Sequence, residues 1–149
     1  MKKKIDELIS GYSERRAALL PVLHITQKEF GQITSVEEKL VAELLDIKPI
    51  EVHEVVTFYS MFNQKKVGKY HIQICSNLTC TLLGAGNLLE YLQNKLGIKP
   101  GETTDDEKFT LSTVECLGAC EEAPVMMVNF DYHGHLDEKK IDKLLDNLK

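Results

Sequence analysis

The chain contains four cysteines and no others, set as two pairs, Cys75-Ser-Asn-Leu-Thr-Cys80 and Cys116-Leu-Gly-Ala-Cys120. Each pair is close enough for its two sulfurs to share one small inorganic centre, and residues 81–115 leave room for a helix and a strand between the pairs. That pattern asks for a metal or a cluster. Disulfide staples are not needed to fold it, because 149 residues with 43% hydrophobic content can bury a real core.

The start, Met1-Lys2-Lys3-Lys4-Ile5-Asp6-Glu7, is basic but runs into acids with no apolar stretch behind it, so the expectation is a cytoplasmic protein rather than an exported one. Reduced thiols in that compartment favour ligand or redox roles for paired cysteines. No apolar run approaches the roughly 20 residues of a membrane helix, so direct membrane insertion is not expected and any membrane association would go through a partner. A net charge of −5, with basic and acidic residues interspersed, argues against nucleic acid.

Residues 1–66 carry apolar positions at helical spacing and almost no strand signal, predicting three or four short helices. In Glu37-Glu38-Lys39-Leu40-Val41-Ala42-Glu43-Leu44-Leu45 the apolar positions 40, 41, 44 and 45 share a face, with Thr34 or Ser35 as N-cap and Glu38 near the capping-box position. Pro21 kinks one helix or begins another, Gly31 ends it, and Pro49 opens a helix expected over Ile50 to Met61. Helices this short are not stable alone, so they are expected to pack on one another or on a partner, and the region is expected to serve subunit docking.

From Gly68 the period changes, and residues 67–149 read as a small α/β unit. Tyr70-His71-Ile72-Gln73-Ile74 alternates like a half-buried strand and delivers Cys75 at its end. A helix is expected from about Gly84 to Leu96, with Leu88, Leu89, Leu92 and Leu96 inward, and residues 102–108 form an acidic loop. Phe109 to Glu115 reads as a second strand ending at Cys116, and Pro124 to Asn129 as a third. Tyr132-His133-Gly134-His135 is expected to turn a hairpin into an edge strand. The helix from Asp137 to Leu148 sets Ile141, Leu144, Leu145 and Leu148 inward. Both cysteine pairs then sit in loops at strand ends.

Spacing alone admits two kinds of centre. Cys₄ zinc sites use similar pairs, although usually in small folds that depend on the metal. An iron–sulfur cluster also uses four thiolates, and the four-residue gap of the first pair matches part of the plant-type ferredoxin spacing. The Cys-x-x-Cys dithiol of disulfide exchange is absent. Gly84, Gly86 and Gly118 would let backbone N–H groups approach the sulfurs, besides serving helix-start and turn geometry.

Cys-x₄-Cys, a long gap, and Glu115-Cys116-Leu117-Gly118-Ala119-Cys120 followed by Ala123-Pro124-Val125 resemble the thioredoxin-like [2Fe–2S] component of NADH:quinone oxidoreductase, its 24 kDa or E subunit. Leu20-Pro21-Val22-Leu23-His24, Gln27, Phe30-Gly31 and Val52-His53-Glu54-Val55-Val56-Thr57-Phe58-Tyr59-Ser60-Met61-Phe62 extend the resemblance to the helical half. The same module occurs in NAD(P)-linked hydrogenases, including electron-bifurcating ones, and in formate dehydrogenases. The resemblance implies a thioredoxin-like domain preceded by a helical bundle, and a [2Fe–2S] cluster on Cys75, Cys80, Cys116 and Cys120. It also implies a partner subunit bearing FMN, a [4Fe–4S] cluster and the NAD(P)H site, with further iron–sulfur subunits beyond. The expected role is electron transfer within an oxidoreductase, without a catalytic site of the chain's own. Its rivals are a zinc-stabilised interaction module and a free-standing thioredoxin-like ferredoxin, against which the helical half argues. No G-x-G-x-x-G or Walker A sequence offers a nucleotide site here.

Other residues carry quieter readings. None of His24, His53, His71, His133 or His135 lies within a cysteine pair, so ligation by them is not expected. Phe58, Tyr59 and Phe62 form either a partner-facing patch or core, Glu121-Glu122 a solvated acidic loop or a source of negative charge at the centre, and Met126-Met127 strand core.

Overall fold

The computed structural model describes residues 2–148, of Lys2 only the backbone; Met1 and Lys149, the outer ends of the two expected regions, lie outside the described residues. The chain divides into two compact units, Met1–Lys66 and Val67–Lys149. Each has its own apolar core.

The first unit is helical: α1 (Lys2–Ser10), a 3-10 turn (Arg15–Ala18), α2 (Leu19–Phe30), α3 (Ser35–Leu45) and α4 (Pro49–Phe58). Pro21 falls in the first turn of α2, where its missing N–H costs no hydrogen bond. Gly31 caps the other end at φ 79°. Thr34 caps α3, which makes Glu37 rather than Glu38 the capping-box acid: the Thr34 N–H donates to Glu37 Oε2 at 2.8 Å, and the Thr34 hydroxyl also meets that carboxylate. These hydrogen bonds from Thr34 hold the Glu37 carboxyl below its usual range. Glu38 is instead buried on the inner face of α3 with Val41, Ala42 and Leu45, a face turned from the expected 40, 41, 44 and 45. Its carboxylate meets His53 Nδ1 at 3.0 Å. Helix α4 ends at Phe58, earlier than expected, because Tyr59 turns to extended backbone. The aromatic run is thereby split: Phe62 is buried, Tyr59 packs on the core, and Phe58 stands 78% exposed.

The second unit is a four-stranded sheet in the order β2-β1-β3-β4, with β1 (Tyr70–Cys75), β2 (Phe109–Val114), β3 (Met126–Val128) and β4 (Asp131–His133). Strand β1 is parallel to β2 and antiparallel to β3, so it is central rather than half-solvated, and Gln73 is buried along with Ile72 and Ile74. Parallel pairing requires a crossover. It is made by α5 (Leu78–Leu82) and α6 (Ala85–Leu96), and the chain closes with α7 (Glu138–Asn147). Leu88 and Leu92 of α6 and Ile141 and Leu145 of α7 share one core with Ile72, Ile74, Leu111 and Met126. Tyr91 and Lys95 of α6 both reach Asp142 of α7.

Two expectations change here, and a third, His71 in a strand, holds. The hairpin turns at Asn129-Phe130, with Asn129 at φ 56°, and Tyr132 and His133 belong to β4 itself. Met127 is only half-buried, whereas Met126 is fully in the core. His71 lies in the sheet, where Nε2 meets Ser112 Oγ at 2.8 Å and burial pushes its pKa down. Among the described residues no helix is long and apolar enough to cross a membrane.

Candidate iron–sulfur site

Two local facts gather the cysteines. The parallel register places Cys75, the last residue of β1, opposite Val114, the last of β2, so the loops that follow both strands leave the same edge of the sheet. Cys116 lies two residues beyond that edge. The segment before β3 then closes from the other side, where the Cys75 N–H donates to the Val125 carbonyl at 3.1 Å. Ser76 fixes the two loops together, its N–H and hydroxyl both donating to the Val114 carbonyl, at 2.8 and 3.1 Å.

The first pair is the buried one. Cys75 and Cys80 are 4% and 3% exposed, and the Cys75 thiol points at the Glu115 carbonyl, 3.6 Å away. Asn77 caps α5 by accepting from the Leu78 N–H, and that five-residue helix turns Cys80 back toward Cys75. Burial pushes the Cys80 thiol above its ordinary pKa, opposed by a hydrogen bond from the Val125 backbone and reinforced by Cys75 and Cys120 nearby. The second pair is exposed: Cys116 follows β2, and Cys120 opens a short 3-10 turn, Cys120–Glu122. Between them Gly118, at φ 72°, points its N–H at Cys116 Sγ from 3.3 Å. All four cysteines are free thiols.

The structure therefore sets Cys80 near both Cys75 and Cys120 and holds Cys116 on the adjoining loop. Among the described residues no three His, Cys, Asp or Glu side chains close around a single ion. The donor set suits a dinuclear iron–sulfur centre: four thiols in two pairs at one sheet edge, one pair buried, and backbone N–H groups directed at a sulfur of each pair. Of the three glycines expected to admit such donors, Gly118 does so. Gly84 caps α6 in a left-handed conformation at φ 97°, and Gly86 lies in the first turn of that helix.

Two contributors escaped the sequence reading. One is Val125, which the sequence offers as strand and as part of the family resemblance but without a role at the site; it supplies both an acceptor for the Cys75 N–H and a donor toward Cys80. The other is Gly134, read as a turn glycine. A methyl group there would lie 2.9 Å from the Glu122 carbonyl oxygen and 2.5 Å from Glu122 Cβ, so its bareness lets the β4 end pack against the turn that carries Cys120. The His135 N–H donates to that same carbonyl at 2.5 Å. Neither role has a sequence signal, because each depends on segments that meet only in the fold.

Residues 5–149 match the family described as thioredoxin-like [2Fe-2S] ferredoxin. The chain is 46% identical to the E 2 subunit of NADH-quinone oxidoreductase from Rhizobium meliloti (strain 1021) over 149 residues, covering 100% of this chain and 89% of that one. It is 48% identical to the E subunit of NADH-quinone oxidoreductase from Rickettsia felis over 144 residues, 95% of this chain and 86% of the relative. The crystal structure of an NAD+-reducing [NiFe]-hydrogenase in the air-oxidized state aligns with 88% of this chain at TM-score 0.74 and 23% identity. This chain spans only 22% of that hydrogenase chain, and the likeness speaks for the fold alone. With the family matched across both units and relatives this similar over their near-full length, the chain belongs to the thioredoxin-like [2Fe-2S] ferredoxin family.

Proposed function

We propose that this protein is the electron-transfer subunit of an NADH-oxidising assembly of the NADH-quinone oxidoreductase type, with a [2Fe–2S] cluster held by Cys75, Cys80, Cys116 and Cys120. The observation that carries this is the gathering of both cysteine pairs at one edge of the sheet by the parallel β1–β2 register. When bound, the cluster supplies storage for one electron at a time. The protein's residues do the rest. Cys75 and Cys80 hold one side within the core and keep water from it, Cys116 and Cys120 hold the side open to a partner, and the Gly118 and Val125 amides offer N–H groups to sulfur.

The named relatives are subunits, so this chain's electrons are exchanged with another polypeptide. The partner is a subunit bearing FMN and a [4Fe–4S] cluster that oxidises NAD(P)H, with further iron–sulfur subunits downstream. The helical unit, residues 1–66, serves docking in that assembly, and any membrane association goes through the partners.

The test replaces each cysteine by serine in turn. Each variant should lose or strongly perturb the visible and EPR signals of the cluster while far-UV circular dichroism stays close to wild type, because the leucine-rich core does not depend on the ligands. Normal spectra from any one variant would remove that cysteine from the ligand set.

A further inference from the structure

The five residues of α5 are built inside out. Helix positions four apart share a face, and here the shared face is Leu78 and Leu82, 70% and 76% exposed, while Cys80 alone turns inward. Leu83, 57% exposed, extends the patch. Three large aliphatic side chains left in water on one turn of chain, beside a buried cysteine, have no role in either core.

The two loops that carry the cysteines bear charge of one sign only; Lys140, whose Nζ donates to the His135 carbonyl, lies off them on α7. Residues 76–89, which carry the leucines, contain no charged side chain. The opposite loop, residues 115–122, contains Glu115, Glu121 and Glu122, all exposed, and no lysine or arginine. A thiolate-ligated cluster adds further negative charge, roughly −2 when oxidised. The edge at which the cysteines gather thus presents an apolar knob beside an acidic rim.

Resting on the function proposed above, we propose that Leu78, Leu82 and Leu83 are the anchor by which the electron-exchanging partner docks, and that the partner's surface there is an apolar hollow bordered by lysine or arginine. The occupant is a protein rather than a lipid surface, since the acidic rim would repel anionic headgroups. It is the redox partner rather than some other protein, because electrons pass only over short distances and this is the edge where Cys116 and Cys120 reach solvent. Apolar anchors at the centre and complementary charges at the border give affinity and steering respectively.

The test uses the full chain with its cluster and the FMN-bearing subunit of the host's NADH-oxidising assembly, with the dissociation constant measured by biolayer interferometry. A Leu78→Ser, Leu82→Ser, Leu83→Ser triple variant should keep the visible spectrum of the cluster yet bind about thirty-fold more weakly or worse, the loss expected when an interface anchor is truncated. Glu115→Gln with Glu121→Gln should slow association and flatten its salt dependence while dissociation stays near wild type. A Phe130→Ser, Tyr132→Ser variant, which removes equally exposed apolar groups from the β3–β4 hairpin, should bind like wild type. If the leucine variant binds at full strength, or the hairpin variant is equally impaired, the docking surface is wrong while the electron-transfer reading stands. If the cluster-bearing wild type does not bind the FMN-bearing subunit at all, both fall.

Discussion

Replacing Gly134 by alanine tests whether the β4 end braces the loop that carries Cys120. The added Cβ would lie 2.5 Å from both Glu122 Cβ and Glu122 Oε2, and 2.9 Å from the Glu122 carbonyl oxygen. Carbon atoms in contact prefer about 3.5–4.0 Å, so the overlap with Glu122 Cβ is on the order of 1 Å. The carboxylate oxygen can swing away, but Cβ and the carbonyl can retreat only if the Cys120–Glu122 turn moves. That carbonyl is also tied to the His135 N–H at 2.5 Å, one residue beyond the substitution. Overpacking of this kind costs about 1–3 kcal/mol. For a chain of this length that lowers Tm by roughly 2–12 °C. Because the displaced turn begins with Cys120, the visible bands and the EPR line shape of the reduced cluster should shift although every cysteine is intact. Gly86→Ala is the control: nothing lies within 4 Å of its added Cβ, and in the first turn of α6 alanine should match or exceed glycine by up to about 1 kcal/mol. Calorimetry and EPR on the two purified variants read both effects. A Gly134→Ala protein with wild-type Tm and an unchanged EPR spectrum would refute the bracing role.

Two further outcomes are expected. Thr34→Ala removes the α3 cap and should cost about 1 kcal/mol of stability at neutral pH. Since the Thr34 hydroxyl lowers the folded-state pKa of Glu37, that part of the stabilisation is present above the unfolded carboxyl range and is lost as pH falls through the folded value, so the gap between wild type and variant should narrow in acid to what the Val36 N–H to Thr34 Oγ bond contributes, as pH-dependent melts would reveal. A chain beginning at Val67 should fold and retain its cluster, since the cysteines and one complete core lie in Val67–Lys149, but should bind the FMN-bearing subunit much more weakly. A shortened protein that binds at full strength would remove the docking role from the helical unit.

The long periodic segments were legible in the sequence because their side-chain pattern is set by burial on one side. Helix α6 buries Leu88 and Leu92 as expected, and α7 buries Ile141 and Leu145. Helix α5 was not legible: it is five residues long, and its leucines face water, so hydrophobic patterning points the wrong way. The hairpin was misplaced because glycine in Tyr132-His133-Gly134-His135 suggests a turn, whereas that glycine is required by Glu122 across the fold and the turn is made by Asn129 in a left-handed conformation. The choice of Glu37 over Glu38 in the capping box hung on whether Thr34 or Ser35 begins α3, which the sequence leaves level. At the site, the cysteine pairs are visible by spacing, but the Val125 and Gly134 contributions arise from segments meeting across the sheet and leave no local mark.

As proposed above, four thiols at one sheet edge hold a single [2Fe–2S] centre. Its most direct measurement is iron, zinc and acid-labile sulfide analysis of the protein purified without oxygen from its native host, with EPR before and after reduction. The expected result is about two iron and two sulfide per chain, and an S = 1/2 signal that appears only on reduction. Stoichiometric zinc with no iron and no sulfide would contradict it.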